Sequence, residues 1–504
     1  MSCRVRAVMP YVSFAVISAI FLLAFVRVVT GTVDEGTFLH GAERVLRGEL
    51  PGRDFVEPAG PGSFVWLALW FRLFGVSFLT ARSVLLATGV AIGLLSLHLS
   101  RRLGARGYFA AAFIVITGIP WLTLNSPHYD ATVLMLATLA LLSHSEKKPA
   151  LFMAGALAAI TACCLQSDGA YVALGLVVFA IVRYRHRACL PVASVCAGFA
   201  CVMGSVALIY WRAHALPDVW ANLKWVLTSY GSVNRVPYGD PLWSFVRTRY
   251  TLFHPTHSMA VAGILTAACA GTYASVAALP LALAAAAWCW ARDLFTPRLL
   301  PFWCVGIAMF LAEFHRADLT HIRTGGIILI TVLLSVCERR ASAPSKRILF
   351  LLSLALLIHA GIAICWALGA TVPLQTRAGL MFAHNTLPGL NLVEQYVRPE
   401  ERMFVYPYQP IYYFAARVRN PTRYSILMYR YNTRAQFQEV IAELDKQQVP
   451  YVLLDTGFNG EGFKTVFPAY TAPKPDELII EPYLATHYRE IAADGSVKLL
   501  RKIN

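Results

Sequence analysis

The chain has 504 residues, of which 57% are hydrophobic and only 14% charged. A soluble protein carries about 25% charged residues, so this composition excludes an ordinary soluble enzyme over most of the length. The net charge of +16 does not point to nucleic acid, because the basic residues sit in short loops between apolar runs rather than in one stripe.

From Tyr11 to about Ala370 the chain is a series of apolar runs, and after Pro373 charge and amide residues return. This predicts a polytopic α-helical membrane part, residues 1–372, followed by a small C-terminal α/β soluble domain, residues 373–504. The run from Tyr11 to about Thr30 is long enough to span the bilayer, lacks a small-residue cleavage site and reads as a retained first helix. Residues 34–48 read as a helix lying on the membrane surface. Phe38, Ala42, Val45 and Leu46 share one face, with Glu35, Glu43, Arg44 and Arg47 elsewhere. Pro61 to about Val76 reads as a second surface helix, so the outer-face loop helices occupy about 34–76.

Further spans are expected at about 82–100, 108–124, 131–144, 150–165, 169–182, 189–211, 299–313, 322–337 and 347–371. The stretch 257–290 is read as one span plus a re-entrant or interfacial piece, for about eleven spans in all. Counting Lys and Arg in the loops orients them. With Arg4 and Arg6 inside, Arg101, Arg102, Arg106, Lys147, Lys148, Arg183, Arg185, Arg187, Arg339 and Arg340 also fall inside, and the turns 125–130 and 166–168 carry no Lys or Arg. Arg316 and Arg323 are the exceptions. The odd count places the tail outside, periplasmic if the membrane is a bacterial inner membrane.

In the tail, Arg402–Tyr406 and Tyr451–Asp455 read as strands flanking a helix at Gln436–Lys446, a βαβ-like unit, and Asp494-Gly495 suits a hairpin turn. The eleven cysteines show no metal-ligand spacing and read as packing residues.

Three acidic groups fall on the outer face in this topology: Asp34-Glu35 after the first span, Asn125–Asp130 between two spans, and Glu313–His321. Asp34 and Asp130 could each serve simply as helix caps, and His315, Arg316 and His321 could be interfacial residues. Charge at membrane depth is costly, about 3 kcal/mol at a helix centre, so an Arg-Asp-His cluster at a span edge favours function.

The first third resembles the lipid-dependent membrane glycosyltransferases of the C-type fold, which include protein O-mannosyltransferases, the aminoarabinose transferases and oligosaccharyltransferases. The pattern is carried by Asp34-Glu35, Gly48, Arg53-Asp54-Phe55, Pro58, Gly60-Pro61-Gly62, Leu73-Phe74-Gly75, Arg82 and Asp130. It covers residues 11–145, and the rest matches by architecture alone. The resemblance implies inverting transfer of a sugar from a polyprenyl-phosphate donor to a hydroxyl of a glycan, lipid or protein acceptor at the outer face. It casts Asp34 as base, with Asp130 orienting the acceptor or a base partner. Glu35, Asp54, His128, Arg316, Asp318 and His321 are the candidate substrate-binding residues; Arg316 and His321 are cast there from their charge, to meet the phosphate. The two-acid motif with which oligosaccharyltransferases hold a divalent metal is missing around Asp130, so no cofactor is expected, although His128-Tyr129-Asp130 could coordinate an ion. The rival readings are a lipid-linked sugar transporter or flippase, which should show inverted repeats and mid-membrane broken helices, and a non-catalytic scaffold.

Overall fold

The structure, a computed structural model, describes residues 3–29, 33–118, 125–238, 250–251, 254–255, 257–340, 342–458, 463–464 and 466–503. Fifteen helices make up the described part before Ala370 apart from short single turns: α1 Cys3–Leu23, α2 Val33–Leu46, α3 Pro61–Phe74, α4 Phe78–Arg102, α5 Tyr108–Gly118, α6 Pro127–His144, α7 Lys148–Cys164, α8 Gln166–Tyr184, α9 Cys189–Arg212, α10 Leu216–Trp225, α11 Met259–Ala277, α12 Leu279–Leu294, α13 Leu300–Ala312, α14 Leu319–Arg340 and α15 Ala343–Leu368. Six described helices are long and apolar enough to cross a membrane, namely α4, α8, α9, α13, α14 and α15, with one-turn extensions for α8 and α13. Four shorter apolar helices accompany them: Val8–Leu23, Tyr108–Gly118, Lys148–Cys164 and Met259–Ala270. The larger span count belongs to the topology proposed below.

Several expectations need correction. The first helix ends at Leu23 and turns before Val29; Thr30, the expected end of that span, and the 119–124 end of another lie outside the described residues. The 257–290 stretch, expected as one span plus a re-entrant or interfacial piece, forms two helices, α11 and α12, separated at Ala278. Pro280 in the first turn of α12 explains the break, because proline is accepted at a helix start and not in its interior.

Surface helix α2 differs most from its sequence reading. Glu35, Glu43 and Arg44 are buried, while Leu46 is exposed. The tail closes over the face that was expected to meet water. Gly36 is the contact point: a Cβ there would lie 2.2 Å from the backbone nitrogen of Ile411. The buried charges are paired instead of solvated: Arg47 bonds Glu43 at 3.0 Å, and Arg44 bonds Glu49 at 2.6 Å and the Thr422 carbonyl at 2.9 Å.

The tail begins with a hairpin, β1 Val372–Thr376 and β2 Gly379–Ala383. Phe382 exchanges two backbone hydrogen bonds, both 2.8 Å, with Arg27 and Val29 at the exit of α1. Then follow α16 Leu390–Tyr396, β3 Met403–Tyr406, α17 Ile411–Ala415, α18 Arg434–Lys446, β4 Tyr451–Asp455, α19 Ile480–His487, β5 Tyr488–Asp494 and β6 Val497–Lys502. The sheet order is β3-β4-β6-β5, with β3 parallel to β4 and the other pairs antiparallel. Helix α18 starts with a capping box, Thr433 with Gln436, and buries Phe437, Val440 and Leu444 against the sheet.

The apolar cores do not respect a boundary between membrane part and tail. One cluster joins Leu39, Phe71 and Phe78 to Tyr412, Tyr413 and Phe414. Another joins Val33, Val56 and Trp225 to Phe404, Tyr431 and Phe467. The tail is thus packed onto the two surface helices, and the ends of α6, α8 and α13 meet beneath it.

Candidate functional site

Asp34 occupies the second position of α2, where free N–H groups favour a carboxylate. It is exposed. Its charge acts on His128, Arg316, Tyr230, Tyr408, Tyr431 and Glu57, which puts these groups within its electrostatic reach. Burial pushes the Tyr230 phenol up to about 12, so it stays a neutral hydrogen-bond donor at pH 7.

Three helix ends meet near Asp34: the starts of α6 and α8 and the turn after α13. Helix α6 starts after Ser126, whose hydroxyl accepts from the His128 amide. This start aims the His128 ring at Glu313, with Nδ1 3.1 Å from the Glu313 Oε1. Asp168, in the first turn of α8, completes a trio whose ligand atoms lie within 4.8 Å of one another. Its Oδ2 is buried and has no hydrogen-bond partner. An imidazole and two carboxylates, one with an open oxygen, fit a divalent cation such as zinc. The expectation of no metal therefore does not follow from this donor set.

A chain of polar contacts runs from His128 to the tail. The His128 and His321 rings meet edge to face at 4.9 Å. His321 Nδ1 lies 2.8 Å from Asp318 Oδ1, and Arg316 Nε donates to Asp318 Oδ2 at 2.9 Å. Burial alone would raise the Asp318 carboxyl, but His321 and Arg316 outweigh it and hold the group well below the usual carboxylate range. Arg316 also donates to the Asn234 side chain and, at 3.2 Å, to the Val466 carbonyl, and it stacks 5.5 Å from the Phe467 ring. Its guanidinium is thus a positive centre tied to the tail.

Three other candidates stand apart. Glu35 is buried in an ion pair with Arg82, 2.6 Å. Asp54 closes a turn, accepting from Arg53 at 2.7 Å and from the Leu50 amide at 2.7 Å. Asp130 does not share the trio with His128; it lines a separate water-sized hollow of about 10 Å³ with Ser63, Trp66 and Asn125. Two residues apart on a helix point to nearly opposite faces, which is why His128 and Asp130 cannot chelate together as the sequence reading allowed. Ser126, not Asp130, is the cap of α6.

Sequence reasoning missed Asp168 and Glu57 as site residues, and named Glu313 only as part of a segment. Asp168 had a signal: it is the acid in the outer turn 166–168. Glu57 is 4% exposed, and burial pushes its carboxyl up to about 8 against the opposing pull of Ser425 and Arg44. It therefore carries a proton at neutral pH within the electrostatic reach of Asp34. Its only signal was its place before Pro58 in the segment that carries the family resemblance.

No family model matches the chain, and no curated protein matches it by sequence. Solved structures do match its fold. ArnT from Cupriavidus metallidurans bound to undecaprenyl phosphate aligns over 100% of this chain and 99% of its own, with TM-score 0.54 and 14% identity. The Archaeoglobus fulgidus oligosaccharyltransferase, solved as a complex with Zn and sulfate, aligns over 94% of this chain and 71% of its own, with TM-score 0.50 and 12% identity. The match to ArnT runs through both the helical part and the tail. The chain has the C-type fold of the lipid-dependent membrane glycosyltransferases.

Proposed function

We propose that the protein transfers a sugar from a polyprenyl-phosphate donor to an acceptor hydroxyl at the outer face of the membrane, with inversion. The observation that carries this reading is the exposed Asp34 carboxylate within electrostatic reach of His128 and Arg316, in a chain that shares the ArnT fold from end to end. The undecaprenyl phosphate bound by that fold neighbour supports the donor class.

In this reading Asp34 accepts the acceptor's proton as its oxygen attacks the anomeric carbon, and the bond from that carbon to the phosphate oxygen breaks. The leaving phosphate develops charge beside Arg316, His321 and His128, which favours departure. Tyr230 and the protonated Glu57 are donors suited to sugar hydroxyls. A divalent cation held by His128, Asp168 and Glu313 would add positive charge at the phosphate. The topology that accompanies this function has about eleven spans, the N-terminus inside, and the tail outside, periplasmic in a bacterial inner membrane. The helical domain at 1–372 and the tail at 373–504 act as one unit through their shared cores.

The test is Asp34→Asn assayed with radiolabelled polyprenyl-phosphate sugars on purified protein. Loss of a general base removes about 10²–10⁴-fold of the rate. Unchanged transfer with normal expression would remove Asp34 from that role.

A further inference from the structure

At the opposite end of the bundle from Asp34, a second cleft opens. Helix α6 runs from His128 to His144, and α8 runs from Asp168 to Tyr184. At 1.5 Å per residue these helices separate the two ends by roughly 25 Å. There the starts of α7 and α9 line a cleft of about 720 Å³. The two helices are parallel and touch backbone to backbone farther along: a Cβ on Gly155 would meet the Val195 carbonyl oxygen at 2.0 Å, and one on Gly198 the Phe152 carbonyl oxygen at 1.9 Å. The cleft lies at their starts, ahead of these contacts.

Its lining is divided by chemistry. Lys147, Lys148 and Arg187 form the polar rim, and Leu151, Leu190 and Pro191 the apolar wall. The one acid on the rim, Glu146, is neutralised by Arg183 at 2.8 Å, so the rim keeps a surplus of positive charge. The apolar wall continues onto α9, of which only 11% is buried in its spanning window, so the cleft opens sideways onto the lipid-facing surface. Leu190, at the lip, is 59% exposed.

We infer that this cleft binds the headgroup of an anionic phospholipid, with the phosphate between Lys147, Lys148 and Arg187 and the glycerol and first acyl carbons against Leu151, Leu190 and Pro191. A basic rim at the end of spanning helices matches a phosphate, and the sideways opening matches a molecule that arrives in the plane of the bilayer. A soluble anion would use the rim alone and leave the apolar wall without a partner. The site is distinct from the donor site and does not depend on the reading of that site.

The experiment is native mass spectrometry of the full chain released from detergent, with added cardiolipin or phosphatidylethanolamine of matched acyl chains. The expected result is one cardiolipin retained at concentrations where phosphatidylethanolamine is lost. The Lys147→Gln/Lys148→Gln/Arg187→Gln triple variant should bind cardiolipin about 100-fold more weakly, at ~5-fold per cation. The Lys147→Arg/Lys148→Arg variant should retain it. Equal retention of the two lipids by the unaltered chain would overturn the proposal, and that arm decides the matter even if the triple variant does not fold. Displacement of cardiolipin by millimolar inorganic phosphate, or unchanged binding by the triple variant, would overturn it as well.

Discussion

The Glu35–Arg82 pair offers the sharpest test of the packing around the candidate site. The two side chains are 0% and 1% exposed and 2.6 Å apart, and neither gains a further hydrogen bond. Such a pair adds little net stability. Burial pushes the Glu35 carboxyl from 4.5 to about 7 against the pull of Arg82, so the fold accepts a neutral side chain there. Glu35→Gln mimics that neutral form and should be at least as stable as wild type at pH 7, with the pH dependence of Glu35 removed. In Arg82→Met the pull of the cation is gone and folding requires a neutral Glu35. Relative to the ordinary value of 4.5, this costs roughly 3.4 kcal/mol at pH 7 and roughly 0.7 kcal/mol at pH 5, at 1.36 kcal/mol per pH unit. The sign follows from proton binding: a carboxyl raised in the folded state binds more protons there, so the variant gains stability as pH falls. Apparent unfolding midpoints in detergent, followed by tryptophan fluorescence at pH 5 and 7, should show Arg82→Met recovering at low pH and Glu35→Gln flat over that range. Identical pH responses of the two single variants, or a Glu35→Gln several kcal/mol less stable than wild type at pH 7, would refute a burial-raised Glu35 carboxyl.

Arg316→Ala should raise the donor KM by about tenfold with less effect on the acceptor KM, since it removes a charged hydrogen-bond centre; steady-state kinetics with each substrate varied in turn checks this, and equal effects would speak against a phosphate role. Gly36→Ala should loosen the tail from α2, because its Cβ would lie 2.2 Å from the Ile411 nitrogen; limited proteolysis should then cleave between α15 and β3 faster than in wild type. Glu57 is raised by burial to about 8 from 4.5, so its folded form holds a proton that the unfolded chain releases. Stability should therefore fall as pH rises from 4.5 toward 8, and Glu57→Gln should flatten that decline, as read from unfolding midpoints across the range.

Much of the architecture was legible in the residues themselves. Apolar run lengths located the helices because the bilayer demands that backbone groups be satisfied within each segment. Period 3.6 in Phe437, Val440, Ile441 and Leu444 located α18, and Asp494-Gly495 located the β5–β6 turn, because these signals are local. The run 257–290 did not show where its two helices divide, because one long apolar run hides the break at Ala278, just before Pro280. The polar face of α2 failed for a different reason: periodicity separates two faces but does not say that a domain some 375 residues later covers the second one.

The candidate site divides along the same line. Asp34, His128, Arg316, Asp318 and His321 could be named from the chain because charged residues at span edges are costly and so stand out. Which of them meet could not. His128 and Asp130 are neighbours in sequence and point apart, while His128, Asp168 and Glu313 are separated by whole spans and meet within 4.8 Å. Sequence alone determined that the chain is built to live in a membrane, since composition and run length are properties of the covalent chain. Only tertiary structure decided that Glu35 pairs with Arg82, that Asp54 closes a turn, that Arg316 is tied to the tail, and that Asp168 and Glu57 belong with the rest. Helix packing sets those distances, and packing depends on contacts between residues that no local pattern links.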